Sequence, residues 1–418
     1  MNAADHIRCF EGAFAATDLV LYAGTNLHCP LDGSAGSEQA GMMPVIGAGA
    51  EKQQPNVASL VEIERIASWL LCDLFRGRFA EARFHSCTQA NLAVFIALLS
   101  PGDTVMCLAG RDGGHVSQNG EGMLAHLAVQ LLAIPFDAEA QRMDDAATAA
   151  LVRNIRPRIV IFGPSVVIRP SDMTLAAAAC REAGATLVVD VSHVAGLIAG
   201  GAFPNPLEHG ADLITASSYK TLGCPPAGFI VGRDPRLQSR IESAASPKLL
   251  SNYDSSRLLR FTTALADSRA FLGPYATATV ANAAALRAAL LEQGLTLLTP
   301  GDRVFGTHQV IVRAEYKEIA VRGVNRLQQS GISTSLCGIP GRPGQWGIRL
   351  GTQLVTRRGM GMREMTRIAA TVASAIRGKS QTELRQEVAE LVSGFPRLAY
   401  CAQPAPGHEI TASASHGQ

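Results

Sequence analysis

The apolar residues of the chain fall into short continuous runs that alternate with segments of helical spacing. This alternation extends from about residue 80 to residue 232. Short runs rich in Val and Ile are typical of buried parallel strands, and apolar residues recurring every three or four positions predict amphipathic helices. The pattern therefore predicts an α/β fold built on a large, doubly wound and mostly parallel sheet.

The individual elements follow from this pattern and change in character after residue 232. In the first part, strands are predicted at residues 158–162, 186–191 and 212–216, and helices at 59–75, 92–99 and 172–183. In the second part, helices are predicted at 235–265, 271–293, 363–377 and 381–392, and strands at 309–312 and 347–350. Residues 1–20 are predicted to be an amphipathic helix, and residues 37–58 a loop.

These elements predict four segments. They are an N-terminal helix and loop segment (1–55), a large domain (56–265), a small C-terminal α/β domain (266–380) and a last helix with a disordered tail (381–418).

Charge and cysteine usage narrow the function classes. The net charge is +2 with no dense basic stripe, which gives no support for binding nucleic acid or a membrane surface. No apolar stretch reaches membrane-spanning length, and the N-terminus lacks the apolar core of a signal peptide. The nine Cys residues are scattered without a CxxC pair. We therefore expect a cytoplasmic protein without a metal site.

Polar residues collect where two of the predicted strands end. Asp190 and His193 follow the first strand, and Ser217, Ser218, Tyr219 and Lys220 follow the second. In open α/β sheets, ligands bind at the carboxyl ends of the strands. An Asp and a Lys at this edge suggest a pyridoxal phosphate site, in which Lys220 forms the Schiff base and Asp190 keeps the pyridine nitrogen protonated. The alternative is a solvated surface Lys and a helix-capping Asp.

Longer motifs around these residues resemble serine hydroxymethyltransferase, a family of fold-type I pyridoxal phosphate enzymes. The motifs are Asp-Val-Ser-His-Val-Ala-Gly at 190–196, Pro-Asn-Pro-Leu-Glu-His at 204–209 and Tyr-Lys-Thr-Leu at 219–222. The resemblance covers roughly residues 55–380. It implies a pyridoxal phosphate-dependent transferase or lyase that acts on an amino acid.

The stretch His-Ser-Cys-Thr-Gln-Ala-Asn at 85–91 resembles the segment that holds the cofactor phosphate in this family. Hydroxyl residues at a helix N-terminus can bind a phosphate together with the free backbone N–H groups, although Ser and Thr are also ordinary helix caps. The resemblance places Ser86, Cys87 and Thr88 at the phosphate, where Cys87 and Thr88 replace a Gly and a Ser of the family.

The resemblance assigns further residues to the site. His115, in Gly-Gly-His, matches the imidazole that stacks on the pyridoxal ring, and Ser165 lies near the cofactor's phenolic oxygen, with Arg169 a weaker candidate. Arg349, in Gly-Ile-Arg-Leu-Gly-Thr, matches the residue that binds the substrate α-carboxylate. Asn26 matches the Asn of the family's Ser-Glu-Asn-Phe.

The chain departs from the family in the region that handles the substrate hydroxyl and the pterin. The family's Glu falls near Ile46, and its paired Tyr residues fall on Gln53 and Gln54; Glu51 is the nearest acid. Met42, Met43, Val45 and Ile46 would make this pocket more apolar. We therefore expect aldol-type chemistry at the α–β carbon bond of an L-amino acid, bound as an external aldimine, without folate.

Two alternatives remain at this stage. One is another pyridoxal phosphate reaction on the same scaffold, namely β- or γ-elimination or replacement, or transamination. The other is a non-catalytic binding or structural subunit, against which Lys220 and Asp190 argue. The resemblance also implies a homodimer with shared active sites, in which residues 37–58 and 250–262 reach the partner's site.

Overall fold

The computed structural model describes residues 18–29, 45–47, 52 and 57–401. The predicted helix at residues 1–20 and the tail after residue 401 lie almost wholly outside these ranges, as does most of the predicted loop at 37–58. Within the described part of the chain, no helix combines the length and the apolar character needed to cross a membrane.

A seven-stranded sheet forms the centre of the large domain, as the alternating pattern predicts. Its strands, in chain order, are β1 (Phe79–Phe84), β2 (Thr104–Cys107), β3 (Gln130–Ala133), β4 (Ile159–Phe162), β5 (Thr186–Asp190), β6 (Leu213–Ser217) and β7 (Gly228–Gly232). Their spatial order is β1-β7-β6-β5-β4-β2-β3. β7 runs antiparallel to both of its neighbours, β1 and β6, and the other neighbouring pairs are parallel. The predicted doubly wound, mostly parallel sheet is confirmed.

Helices cover both faces of this sheet, because β4, β5 and β6 are buried along nearly their whole length and have no solvent-facing side. The helices of the large domain are Val57–Phe75, Cys87–Leu98, Asp145–Ile155, Thr174–Ala183, Ala195–Ala199, Pro235–Ser243 and Ser255–Ser268. Short 3-10 turns occupy Gly110–Asp112, Val116–Gln118 and Met123–His126, and Phe136–Asp137 pairs with Arg142–Met143.

The single helix predicted over residues 235–265 is wrong. The chain leaves the first helix through a kinked π-turn at Ala244–Leu249, forms a short strand at Asn252–Tyr253 and begins a new helix at Ser255. Ser246 has φ −138° and ψ 130°, because the residue before a proline is driven out of the helical region. The Asn252–Tyr253 strand pairs with Val45–Ile46, so the predicted loop at 37–58 contains a strand.

A smaller antiparallel sheet forms the second core. Its strands are β8 (Gln309–Ala314), β9 (Ser335–Gly338) and β10 (Trp346–Gly351), with β10 in the middle. The helices around it are Leu272–Glu292, Lys317–Gln329, Gln353–Arg357, Met362–Arg377 and Gln381–Ser393. Leu19–Val20 pairs with Ile332–Ser333 beside this sheet. Leu19 and the last helix share the core of the small sheet, although the sequence places them in separate terminal segments.

Two cysteines at opposite ends of the described chain lie together, which the scattered spacing does not predict. Cys29 and Cys401 form a disulfide with Cα atoms 5.5 Å apart, across 372 residues of sequence. The buried guanidinium of Arg357 donates to the Cys29 sulfur over 3.3 Å. The segment that carries residues 18–29 is therefore fixed against the C-terminal end of the chain.

Candidate active site

The carboxyl edge of the large sheet gathers the polar residues that follow its strands. Asp190 is the last residue of β5 and Ser217 the last of β6, and Asp190 pairs in register with Thr215. Because β5 and β6 are parallel neighbours, their carboxyl ends meet at one place. Lys220 follows β6 by three residues and returns to the same edge.

A cavity of about 110 Å³ lies at this edge, and we call it the inner cavity. Every predicted cofactor-binding residue except Ser218 lines it. Its lining residues are Ser86, Cys87, Thr88, His115, Gly163, Pro164, Ser165, Asp190, Ser192, His193, Ser217, Tyr219 and Lys220.

Ser218 does not reach the inner cavity. Its hydroxyl donates to the Pro225 carbonyl over 2.5 Å and accepts from the Ala227 amide over 2.8 Å, and the residue is fully buried. Ser218 lies one residue beyond the end of β6, and these two contacts turn its side chain into the following loop and away from the cavity. Ser218 instead holds the loop that leads into β7.

A helix N-terminus forms one wall of the inner cavity. Ser86 is the N-cap of the helix Cys87–Leu98, and its Oγ accepts from the Gln89 amide over 3.3 Å. The first turn of a helix carries unpaired N–H groups and the positive end of the helix dipole. This end, with the hydroxyls of Ser86 and Thr88 beside it, is suited to a phosphate.

The carboxylate of Asp190 is surrounded by hydrogen-bond donors. Its Oδ2 accepts from Gln118 Nε2 over 2.5 Å, from Asn91 Nδ2 over 3.1 Å and from Cys87 Sγ over 3.2 Å. Its Oδ1 accepts from the Ser192 amide over 2.9 Å. These four donors fix the position of the carboxylate, which is the group that pairs with the ring nitrogen of a bound pyridoxal phosphate.

His115 is held as a neutral imidazole. Its Nδ1 accepts from the Ser117 amide over 3.2 Å and lies 2.8 Å from the Ser117 hydroxyl, which leaves the ring proton on Nε2. Burial lowers the pKa of His115, and the Lys220 and Arg349 charges act in the same direction against Asp190. A neutral ring is the form that stacks on a flat aromatic group without desolvating a charge.

His193 is fixed by Gln309, a residue that the sequence does not single out. Gln309 Nε2 lies 3.1 Å from His193 Nδ1, and Gln309 Oε1 accepts from the Val167 amide over 2.9 Å. This orients the Gln309 amide as a donor to Nδ1. Burial holds the pKa of His193 well below its usual range, with the nearby charges of Lys220 and Arg349 adding to the effect.

Lys220 has the environment of a nucleophilic amine. Burial lowers its pKa, while the carboxylate of Asp190 opposes the shift. The neutral amine is the nucleophile in Schiff-base formation, so a lowered pKa increases the reactive fraction at neutral pH.

A second, wider cavity of about 540 Å³ opens from the first, and we call it the outer cavity. The two cavities share His115, Ser165, His193, Tyr219 and Lys220 as a common wall. The residues particular to the outer cavity are Tyr22, Gly24, Thr25, Ser333 and Arg349. An amino acid bound next to Lys220 in the outer cavity would therefore lie within the same cavity as Arg349.

Arg349 enters the outer cavity from β10 in the small sheet. Its Nη1 donates to the Ser165 carbonyl over 2.7 Å, and its Nε donates to the Ser335 hydroxyl over 3.1 Å. These contacts fix the plane of the guanidinium. Nη2 makes no hydrogen bond to any residue of the described ranges, so it is available for a carboxylate.

The N-terminal segment contributes different residues from the predicted one. Asn26 lines neither cavity, because its amide donates to the Tyr275 hydroxyl over 2.7 Å. Tyr22 and Thr25, which no sequence motif singles out, line the outer cavity instead. Arg169, the weaker candidate, is buried in an ion pair with Asp302 at 2.5 Å.

The predicted apolar pocket around residues 42–46 is seen only in part. Met42, Met43, Glu51 and the Gln pair at 53–54 lie outside the described residues. Val45 packs into the core of the large domain, and Ile46 is 54% exposed. Neither residue lines the inner or the outer cavity.

The chemistry of the inner cavity fits pyridoxal phosphate. The amine of Lys220, with its lowered pKa, and the carboxylate of Asp190 face the same small space, as the aldehyde and the ring nitrogen of that cofactor require. The helix N-terminus at Ser86 supplies the anion site. Lys220, Asp190, His115, Ser86 and Thr88 are the residues that would hold it.

Comparison with known proteins points to one family. The family model described as serine hydroxymethyltransferase matches residues 58–372. An alpha-methylserine aldolase of Variovorax paradoxus is 32% identical over 363 residues, covering 86% of this chain and 82% of that protein. A serine hydroxymethyltransferase of Pyrobaculum calidifontis is 34% identical over 336 residues, covering 78% and 77%.

A solved structure has the same fold. The L-threonine transaldolase of Pseudomonas fluorescens, in its internal aldimine state, superposes with a TM-score of 0.87 at 27% identity, covering 95% of this chain and 92% of that one. The predicted class, a pyridoxal phosphate-dependent enzyme with aldol-type chemistry, is confirmed. The chain belongs to the serine hydroxymethyltransferase family of fold-type I enzymes.

Proposed function

We propose that this protein cleaves or forms the α–β carbon bond of a β-hydroxy-α-amino acid without folate, as an aldolase or as a transaldolase that moves the amino-acid unit to another aldehyde. The observation that carries the proposal is the common wall of the two cavities. Lys220 lines both cavities, the inner one with the residues that we propose to bind the cofactor and the outer one with Arg349.

The residues of the inner cavity would hold the cofactor in a fixed orientation. Pyridoxal phosphate supplies an electron sink for the pair left on the α-carbon when a bond to that carbon breaks. Lys220 would be the attachment residue, and Asp190 would pair with the ring nitrogen and keep it protonated. Ser86, Thr88 and the helix N-terminus would bind the phosphate, and His115 would stack on the ring.

Arg349 would set the substrate class. A guanidinium whose plane is fixed by Ser165 and Ser335 can bind a carboxylate through two parallel hydrogen bonds, one from Nη2 and one from the second N–H of Nη1. By holding the α-carboxylate, Arg349 would orient the α-carbon of the substrate. That orientation would select which bond to the α-carbon is broken.

The composition of the outer cavity supports a reaction without folate. No Asp or Glu is found among the residues of the described chain that line it. A positioned acid–base group is typically worth about 10²–10⁴-fold in rate, and the family's Glu has no counterpart at Ile46. The aldolase and transaldolase relatives support the same reaction class.

We further propose a homodimer with shared sites. The strand pairing of Val45–Ile46 with Asn252–Tyr253 joins the two segments that the sequence assigns to the partner's site. Trp69, on the adjacent helix, is 52% exposed, which is unusual for so large an apolar side chain. Light scattering after gel filtration should give twice the chain mass of 44.0 kDa. A monomer that retains cofactor at micromolar concentration would contradict the proposal.

A panel of amino acids tests the proposed reaction. The holoenzyme is incubated with serine, threonine, α-methylserine and alanine, and aldehydes, α-keto acids and ammonia are quantified separately. We expect aldehyde from β-hydroxy amino acids alone. Keto acid from alanine, formed when an α-keto acid is added as the amino acceptor, would indicate transamination, and ammonia with keto acid from serine would indicate elimination. Either reaction, as the main one, would replace the proposal.

A further inference from the structure

Gln118 makes the shortest contact to the Asp190 carboxylate. Its Nε2 donates to Asp190 Oδ2 over 2.5 Å, shorter than the contacts from Asn91 and Cys87 to the same oxygen. Gln118 is 1% exposed and lies 72 residues from Asp190 in the chain. Because the amide is buried, water does not compete for its hydrogen bonds. The carboxylate therefore determines its orientation.

The fold leaves room for this side chain at Gly163. A Cβ added to Gly163 would lie 1.9 Å from Gln118 Oε1 and 2.1 Å from its Nε2. Contacts this short do not occur between non-bonded atoms, so any larger residue would displace the amide. Gly163 directly follows strand β4, and its backbone carbonyl accepts from the His115 amide over 3.1 Å.

Gln118 belongs, through Asp190, to a hydrogen-bond network that also includes His115. Asn91 Nδ2 donates to Asp190 Oδ2 and, over 3.1 Å, to the Ser117 hydroxyl. The Ser117 hydroxyl lies 2.8 Å from Nδ1 of His115. Asn91 is in turn fixed by the Thr215 hydroxyl, which donates to its Oδ1 over 2.6 Å.

We propose that Gln118 is a positioning residue that fixes the Asp190 carboxylate toward the ring nitrogen of the cofactor. With Asn91 and Cys87 it occupies Oδ2, while Oδ1 accepts only the Ser192 amide within the described chain. This leaves Oδ1 as the oxygen for the ring nitrogen. The inference rests on the proposed attachment of the cofactor at Lys220.

Without Gln118, the carboxylate loses its closest donor and can rotate about the Cβ–Cγ bond. A hydrogen bond to a charged group is worth enough that we expect cofactor affinity to fall by roughly ten- to a hundredfold in Gln118→Met, which keeps the length of the side chain and removes the donor. Gln118→His restores a ring N–H at similar reach and should recover most of the affinity. Gly163→Ala should act as Gln118→Met does, because it displaces the same amide.

The test measures cofactor binding and the visible circular dichroism of the bound cofactor in the holoenzyme, with Gln130→Met as the control. Gln130 is exposed on β3, so the same chemical change there should leave both quantities unchanged. We expect weaker binding and a reduced dichroic band in Gln118→Met and Gly163→Ala, with recovery in Gln118→His.

Three outcomes would overturn the inference. Wild-type affinity and dichroism in Gln118→Met would show that the amide does not position Asp190. Equal losses in Gln118→Met and Gln118→His would show that the donor is irrelevant and only the shape matters. A wild-type protein that binds no cofactor would overturn the proposed function and this inference with it, whereas the first two outcomes leave the proposed function standing.

Discussion

The substitution Arg349→Lys tests the proposed binding of the substrate carboxylate. Arg349 donates to the Ser165 carbonyl and the Ser335 hydroxyl, and these contacts fix the guanidinium plane. Lys keeps the positive charge but has one nitrogen instead of a rigid fork. Its flexible ammonium group lacks the planar fork, so it cannot hold both carboxylate oxygens through two parallel hydrogen bonds.

The expected loss follows from that missing bond. A hydrogen bond to a charged group contributes about 1.5–3 kcal/mol, and about 1.4 kcal/mol corresponds to a factor of ten. We therefore expect kcat/KM for the amino acid to fall by about 10- to 150-fold. The α-carboxamide of the substrate offers a single acceptor oxygen and no charge. The substitution should therefore lower kcat/KM less for the carboxamide than for the acid.

Steady-state kinetics on the acid and the carboxamide provide the assay, with Arg313→Lys as the matched control. Arg313 lies on the neighbouring strand β8 and donates to Gln345 over 3.0 Å, away from both cavities. Its substitution should leave kcat/KM unchanged. The reasoning fails if Arg349→Lys lowers kcat/KM for the acid by less than about threefold, well below the tenfold that one such bond is worth, or if acid and carboxamide lose equally.

Three further predictions concern the residues around Lys220. Lys220→Arg keeps the charge but supplies no nucleophilic amine, so the variant should lack a visible cofactor band, and borohydride should fix no cofactor to the peptide that carries residue 220. Gln309→Leu leaves the buried Val167 amide without its acceptor, so the free energy of unfolding measured in urea should fall by about 1–3 kcal/mol. An unchanged unfolding midpoint would contradict this. Burial lowers the pKa of His308 to about 3 from an ordinary 6.5, so only the unfolded chain takes up this proton at pH 5. The free energy of unfolding should therefore fall by about 2 kcal/mol between pH 8 and pH 5 on account of this residue, and His308→Gln should lose that part of the pH dependence.

The parts of the site that the sequence predicts are those tied to strand ends. Asp190 and Lys220 follow buried apolar runs, and parallel strands bring their carboxyl ends together whatever the details of packing. The direction of a side chain at a strand end is harder to predict. Ser217 and Ser218 are adjacent and equally polar, yet only Ser217 faces the cavity, because the hydroxyl of Ser218 bonds to the loop that leads into β7.

Two residues that no sequence motif indicates contact the site residues across long stretches of the chain. Gln118 meets Asp190 across 72 residues, and Gln309 meets His193 across 116. Neither stands out by residue type, since Gln is common on surfaces. The one local signal was the position of Gln118, three residues after His115 in the same loop.

Short elements were missed for a related reason. Strand β7 is a run of three apolar residues between two glycines, too short to separate from a loop by periodicity. The helix Lys317–Gln329 buries only Ala320, Gly323 and Leu327, so its apolar face is narrow and contains a glycine. In both cases packing against neighbouring strands stabilises the element, and the local hydrophobic pattern does not predict that packing.

The central claim is that this chain performs aldol-type chemistry on a β-hydroxy-α-amino acid without folate. The most direct measurement is the rate of aldehyde release by the holoenzyme from its best β-hydroxy amino acid, with and without tetrahydrofolate. We expect the same rate in both, with no methylene-tetrahydrofolate formed from serine. Aldehyde release that requires tetrahydrofolate, or methylene-tetrahydrofolate formed at a rate typical of metabolic enzymes, on the order of 1–10³ s⁻¹, would contradict the account.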